Sequence, residues 1–245
     1  MASAPALRWI SPSEPLPPAR QALRSPNGLL AAGYDLSATR LLEAYRGGIF
    51  PWYSDGEPVL WWSPDPRMVL YLDRFKCSRS MVKTIRRVSR PGGWAITMDR
   101  CFARVMRECA APRPDQDGTW ITAEIADAYQ RLHAIGHARS VEIWQHEGPD
   151  APLIGGLYGV SIGRMFYGES MFARVADASK IALCAWVGAL RSLGFRVIDC
   201  QQRTRHLASL GAAEIGREAF LAEIAELTAL PPPDWSAVQI EFPKV

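Results

Sequence analysis

The stretch from Asp177 to Leu193 constrains the fold more than any other. Its apolar residues fall on nearly every side of a 3.6-residue spiral, so the helix it predicts must be enclosed rather than laid on a surface. An enclosed helix needs a layer of partners, and the sequence supplies strands. Phe195–Gln201 follows directly as one of them. Three β-rich runs lie just ahead, Ser140–Gln145, Leu153–Ser161 and Arg164–Ser170, separated by turn-type glycines that suggest antiparallel neighbours. Further strands are predicted at Met68–Leu72, Ala95–Met98 and Ala237–Phe242. Helices are predicted at Leu36–Tyr45, Ser80–Ser89, Cys101–Ala110, Thr122–Ile135 and Glu218–Leu227. Strands mixed with helices in this order give an α+β or α/β layer fold, and the pattern alone does not choose between them.

Proline marks where the chain divides. Ser11–Pro18 reads SPSEPLPP, an irregular surface segment, and Pro51, Pro58, Pro64 and Pro66 make the region from 51 to 66 mostly loop and short edge strand. A boundary near Asp65 gives a small N-terminal domain, 1–65, and a larger one, 66–245. With 245 residues, 48% hydrophobic and 22% charged, the chain can bury a core without staples. No run approaches the roughly 20 apolar residues of a membrane helix, and the opening MASAPALRWI has no leader pattern. The five cysteines form no CxxC pair, which suits buried thiols in a reducing compartment. The expectation is a soluble, cytoplasmic chain with no membrane partner. The four histidines lack metal-ligand spacing, so no metal is expected.

Net charge is only +3, so any affinity for nucleic acid must come from a local patch. One exists. On a helix, Arg79, Lys83, Arg86, Arg87 and Arg90 fall within an arc of roughly 100°, while Met81, Val82, Ile85 and Val88 take the opposite side. The only acidic residue nearby is Asp73. Like charges at i,i+4 repel by a few tenths of a kcal/mol. Either the stripe is a solvated face that tolerates this cost, or a phosphate backbone offsets it.

Two segments carry candidate chemistry. In Phe166-Tyr167-Gly168-Glu169-Ser170-Met171-Phe172, a carboxylate and a hydroxyl sit in an apolar, aromatic run, where a carboxylate must find a partner or shift its pKa. A structural Glu bonded to backbone amides or an Arg fits this as well as a reacting one. In Ile198-Asp199-Cys200-Gln201, alternation puts Asp199 and Gln201 on one face and Cys200 on the other. Asp beside Gln can orient an amide and hold an amine, and it can equally end a strand by capping a helix. Trp52, Trp61, Trp62 and Trp120 are either core residues or walls of a pocket for an apolar or base-like group. His206 follows the second segment closely enough to approach it.

The order of short motifs then matches a known family. Gly28-Leu29-Leu30-Ala31, Ala44 to Trp52 (AYRGGIFPW), Trp61-Trp62-Ser63-Pro64, Ser140-Val141-Glu142, Gly155 to Val160 (GGLYGV), Gly168 to Phe172 (GESMF), Ala178-Ser179-Lys180, Asp199-Cys200-Gln201 and Ser209 to Ala212 (SLGA) together resemble the leucyl/phenylalanyl-tRNA–protein transferases. The resemblance runs from about Gly28 to Leu221. The sequence departs from the family pattern at Tyr34, Arg139, Ala173 and Gly216, where the family has Gly, His, Ser and Pro.

The resemblance implies a small N-terminal domain and a larger acetyltransferase-like (GNAT) domain, an α+β chain with a mixed sheet flanked by helices. It implies transfer of Leu, Phe or Met from aminoacyl-tRNA to the N-terminal amine of proteins beginning with Arg or Lys, marking them for degradation, with no coenzyme. By motif, Glu169, Asp199 and Gln201 are the polar centre. Leu157, Phe166, Met171 and Ile198 match the pocket for the transferred side chain, with Ser170 beside it. Trp52 and Trp120 match the wall near the 3′ adenosine, and the basic helix matches the acceptor-stem site. A monomer is the favoured state. Two other classes stay in view. A coenzyme A-dependent N-acetyltransferase needs a [QR]xxGx[GA] loop at a strand-to-helix turn. Arg90–Ala95 fits its letters but precedes a strand. A non-catalytic RNA-binding module would explain the basic stripe alone.

Overall fold

A computed structural model describes residues 7–112 and 119–244. Residues 1–6, read above for a leader pattern, lie outside the described residues. The first part of the chain forms β1 (Arg8–Trp9), β2 (Leu29–Gly33), α1 (Ala38–Arg46), β3 (Phe50–Pro51) and β4 (Val59–Trp62). Its four strands make one sheet in the order β1-β2-β4-β3. The edge strand expected after Pro51 is thus two pieces. β3 is at the edge, whereas β4 is interior, because Pro58 ends just before it and its own residues, Val59–Trp62, are free to pair on both sides. Ser37 starts α1 by accepting a hydrogen bond from Arg40 N.

The larger part runs through β5 (Arg67–Tyr71), α2 (Arg79–Val88), β6 (Ala95–Met98), α3 (Phe102–Ala110), α4 (Ala123–Ala134), β7 (Ala138–Trp144), β8 (Leu153–Ile162), β9 (Met165–Ala173), α5 (Ala178–Ser192), β10 (Val197–Gln201), α6 (Arg205–Ser209), β11 (Ala213–Ile215) and α7 (Arg217–Ala229). Its seven strands form a mixed sheet, β11-β5-β10-β9-β8-β7-β6, with helices on both faces. The α+β class expected of the chain is the one it adopts. Among the described residues, only β9 and β10 run parallel within this sheet; every other neighbour pair is antiparallel.

Strand alternation sorts the core into two layers. Met68 and Leu70 of β5, Leu157 of β8, Phe166 of β9 and Ile198 of β10 join α2 and α5 on one face. Val69, Tyr158, Tyr167 and Val197 join α3, α4, α7, α1 and the small sheet on the other. Helix α5 is buried along most of its length, as its all-round apolar pattern requires. It packs hard on β8, where a Cβ on Gly155 would meet Ala178 Cβ at 2.5 Å, so only glycine fits. The expected strand at 237–242 does not form. After Trp235–Ala237, a single 3-10 turn, the tail continues without ladder bonds, and Trp235, Ile240 and Phe242 pack by side chains alone against the α5 layer. Apolar alternation without a free sheet edge beside it is not enough to make a strand. Among the described residues, no helix is long and apolar enough to cross a membrane.

Candidate active site

The parallel ladder between β9 and β10 is short. Phe166 faces Ile198 and Tyr167 faces Asp199, and there the pairing stops. Both strands then bulge at the same level. In the β8–β9 register Tyr158 faces Ser170 and Gly159 faces Gly168, leaving Glu169 as the extra residue. In the β5–β10 register Asp199 faces Val69 and Gln201 faces Met68, leaving Cys200 as the extra residue. A bulge bends its strand and re-aims a side chain. Gln201 also has φ 59, a left-handed conformation uncommon outside glycine. Gly159 permits the first bulge, since a Cβ there would stand 2.2 Å from Tyr167 O.

The paired bulges open a cavity of about 1180 Å³. Leu157, Phe166, Met171 and Ile198 all line it, joined by Leu70, Leu183 and Trp186 from β5 and α5. Trp52 and Trp120 stand on its wall, and Trp52, 43% exposed, meets Trp62 edge to face at 5.6 Å. Glu169, Ser170 and Gln201 line it too. None of the four departures from the family pattern, Tyr34, Arg139, Ala173 and Gly216, does so.

Glu169 sits at the polar end in a ring of donors. Tyr45 Oη donates to Oε1 at 2.7 Å, Tyr129 Oη to Oε2 at 3.1 Å, and Gln201 Nε2 to Oε1 at 3.0 Å. The two tyrosine hydroxyls also lie within hydrogen-bond distance of each other; each has one proton, so whichever donates to its neighbour leaves Glu169 to the other. Burial pushes the Glu169 carboxyl up to about 7, against the tyrosine hydrogen bonds, and the Asp199 charge adds to the rise. Burial beside this carboxylate also raises both tyrosines, so they remain donors. Tyr45 comes from α1 and Tyr129 from α4. Neither was found by sequence reasoning. Tyr45 lies inside the AYRGG motif, which was the available signal, whereas Tyr129 on the apolar face of a helix carries none.

Asp199 is placed differently. It is fully buried and does not line the cavity. Arg67 Nε donates to Oδ1 at 2.9 Å and Nη2 to Oδ2 at 2.6 Å. Oδ1 accepts in addition from the Gln201 backbone N–H at 2.8 Å, and this bond fixes the bulge. The guanidinium of Arg67 lies between the rings of Phe50 and Phe220 and donates to Gly48 O. Strict alternation, which set Asp199 and Gln201 on one face, therefore fails at the bulge. Cys200 and Gln201 both reach the cavity while Asp199 stays behind them. Burial pushes the Cys200 thiol far up, which leaves it a poor nucleophile. His206 also lines the cavity, and burial with Lys180 nearby lowers its pKa, so it is neutral near pH 7.

The basic helix is α2, whose Met81, Ile85 and Val88 are buried and whose Arg79, Lys83, Arg86 and Arg87 are exposed. Ser78 caps it, accepting from Met81 N at 3.1 Å. It ends at Val88, so Arg90 belongs to the following turn rather than to the helical stripe; Pro91 and two glycines stop the helix there. The Arg90–Ala95 segment leads into β6, not into a helix, and offers no helix N-terminus for a pyrophosphate. Among the described residues, no group of three or more His, Cys, Asp or Glu is arranged to hold a metal.

An apolar pocket lies beside a caged carboxylate and an amide in a mixed sheet, an arrangement that can seat an apolar group next to polar side chains, as acyl transfer requires. Comparison with known proteins narrows the class. Residues 69–225 match the model of the leucyl/phenylalanyl-tRNA protein transferase family, and residues 34–65 match that of its N-terminal domain. A leucyl/phenylalanyl-tRNA–protein transferase of Paraburkholderia xenovorans (strain LB400) is 56% identical over 231 residues, 93% of each chain. One from Chromobacterium violaceum is 56% identical over 226 residues, 92% of this chain and 94% of its own. A crystal structure of FemX superposes with a TM-score of 0.47 and 12% identity, over 72% of this chain and 66% of that one. The chain belongs to the leucyl/phenylalanyl-tRNA protein transferase family, a family of enzymes.

Proposed function

We propose that the cavity takes the leucyl, phenylalanyl or methionyl end of an aminoacyl-tRNA and passes the aminoacyl group to the α-amine of a protein beginning with Arg or Lys. The observation that carries this reading is the placement of the apolar pocket directly beside the Glu169–Gln201 hydrogen bond. The aminoacyl ester is already activated, so catalysis asks mainly for positioning and charge stabilisation. Leu157, Phe166, Met171 and Ile198 hold the side chain, with Ser170 at the pocket rim. Such a pocket separates substrates differing by one methylene by only ~1–3 kcal/mol, which fits a site that accepts three apolar side chains.

The acceptor amine must be neutral to attack, a modest demand for a group with a pKa near 8. Because Gln201 donates its amide N–H to Glu169, its carbonyl oxygen is left to accept from the amine. The amine nitrogen bonds the ester carbonyl carbon, the ester C–O bond breaks, and the amine proton leaves with the ribose oxygen of the terminal adenosine. Glu169, with lone pairs beyond those its three donors use, holds the cationic Arg or Lys side chain. Asp199 cannot take that role, since both its oxygens are closed by Arg67; it is a positioning residue that sets the Gln201 backbone. Trp52 and Trp120 flank the adenosine, and Arg79, Lys83, Arg86, Arg87 and Arg90 track the acceptor-stem phosphates. The same reading takes residues 1–65 and 66–245 as two domains, and the enzyme as a cytoplasmic monomer that marks its acceptors for degradation.

The test is direct. The protein is incubated with radiolabelled leucyl-tRNA and a peptide beginning with Arg, beside one beginning with Ala. Label is expected in the Arg peptide alone. Binding of charged tRNA with no transfer to either peptide would replace this reading with that of an RNA-binding module.

A further inference from the structure

A second depression of about 630 Å³ shares no lining residue with the cavity. Its walls are the Arg20–Asn27 segment on one side and the start of α7, with Asp65, on the other. The charged groups facing it are Arg20, Arg24, Arg217, Asp65 and Glu218. Arg20 is already paired with Glu218 at 3.2 Å. Asp65 accepts the Arg217 backbone N–H at 3.0 Å, and its own backbone is held by the Asn27 amide. Arg24 is exposed and has no ion-pair partner among the described residues.

Arg217 is the anomaly. It is only 8% exposed, and its Nε is buried with no hydrogen-bond partner. Among the described residues its guanidinium makes no hydrogen bond and no ion pair. Burial lowers its pKa, and the neighbouring Arg67 charge lowers it further, against the opposing pull of Asp65. A buried guanidinium cannot shed its charge at neutral pH, so leaving it unpaired is costly. Arg67 escapes that cost by gripping Asp199; Arg217 does not. The cleft is thus net positive, polar-walled and open to solvent, with the Arg217 guanidinium unpaired and its Nε buried. Helix α7, 13 residues long, adds the positive end of its dipole at the same point.

We propose that this cleft is a binding site for a phosphate-class oxyanion, with Arg217 as its buried anchor and Arg24 as its outer cation. A tetrahedral oxyanion matches the planar donor fork of Arg and would supply the missing countercharge. The site is separate from the transferase cavity and does not depend on the roles assigned there. The anion has two sources with the same chemistry, free inorganic phosphate and a phosphodiester of an RNA backbone.

Calorimetric titration of the full-length protein with inorganic phosphate at fixed ionic strength tests this. Saturable binding is expected, weakened ~10-fold or more in Arg217→Gln and by a smaller factor in Arg24→Gln, yet unchanged in Arg107→Gln, an exposed residue of α3 that lines neither the cavity nor the cleft. Arg24 is exposed, so its variant stays informative even where Arg217→Gln fails to fold. An RNA oligomer without terminal phosphates then separates the sources. Competition with phosphate that Arg217→Gln or Arg24→Gln relieves identifies the backbone; no competition identifies the free anion. Absence of saturable binding, or phosphate affinity equal to wild type in Arg24→Gln, overturns the site.

Discussion

Arg67 closes both carboxylate oxygens of Asp199 through Nε and Nη2, and neither side chain is exposed at all. The pair sits under the Gln201 bulge, so it acts on the cavity through the backbone it holds and through its charges on Glu169, not by direct contact. Removing one partner strands a buried charge. Arg67→Met is expected to cost ~3–5 kcal/mol of stability, read as a lower urea midpoint. Arg67→Lys is expected to recover only part, because an ammonium cannot make the two-point grip. Below its melting point, either variant should lose kcat with little change in KM for charged tRNA.

The Glu169 carboxyl carries a pH signature. Its value in the folded chain is about 7, against an ordinary 4.5. Between those two values the folded protein holds a proton that the unfolded chain has released. Stability must therefore fall as pH rises from about 4.5 to about 7 and then level off. Glu169→Gln should lack this slope when denaturant midpoints are compared across the range. On the proposed role, KM for an Arg-initiated peptide rises as pH falls through about 7, where the carboxylate is neutralised, by more than the acceptor amine's own titration, whereas the Gln variant has a high KM that follows the amine alone. A wild-type pH profile of KM parallel to that of the Gln variant would remove Glu169 from acceptor binding.

Leu157 lines the pocket from β8, opposite Met171 in the ladder. Leu157→Phe takes volume from the space for the transferred side chain. Leucyl transfer should survive better than phenylalanyl transfer, with the ratio of kcat/KM values moving by ~1–3 kcal/mol toward leucine. An unchanged ratio would place the discriminating wall elsewhere.

On α2, Lys83 and Arg87 are one turn apart and exposed. Reversing both charges to Glu should raise KM for charged tRNA well beyond any change in kcat. It should also reduce the slope of log affinity against log salt by about 2, one phosphate contact for each residue. A slope that does not move would show that the helix faces solvent in the complex.

The elements were largely legible because each has its own local signal. Helix α5 announces itself by an apolar surface all round, and α2 by a basic face opposite an apolar one. The lining of the cavity followed from motif order, and Leu157, Phe166, Met171, Ile198, Trp52 and Trp120 do converge. What the sequence hid depends on register. Alternation cannot reveal that Glu169 and Cys200 are bulged, since a bulge is a property of two strands at once. Arg67 falls just outside the strand expected at Met68–Leu72, and its burial becomes visible only when Asp199 is set beside it 132 positions later. The 237–242 segment shows the opposite error, where a strand-like pattern packs without pairing.

The caged carboxylate has a consequence for how the enzyme comes into being. Tyr45 reaches Glu169 from α1, and Tyr167 Oη donates to the Tyr45 backbone carbonyl at 2.8 Å, so the helix before Asp65 is stitched to the strand that carries the acid. The candidate site is a seam between early and late segments of the chain. A ribosome that has released β9 must still let α1 settle against it before the acid has its donors. Catalytic competence therefore arrives at the end of assembly, and recovered activity during refolding should trail recovered sheet signal rather than accompany it.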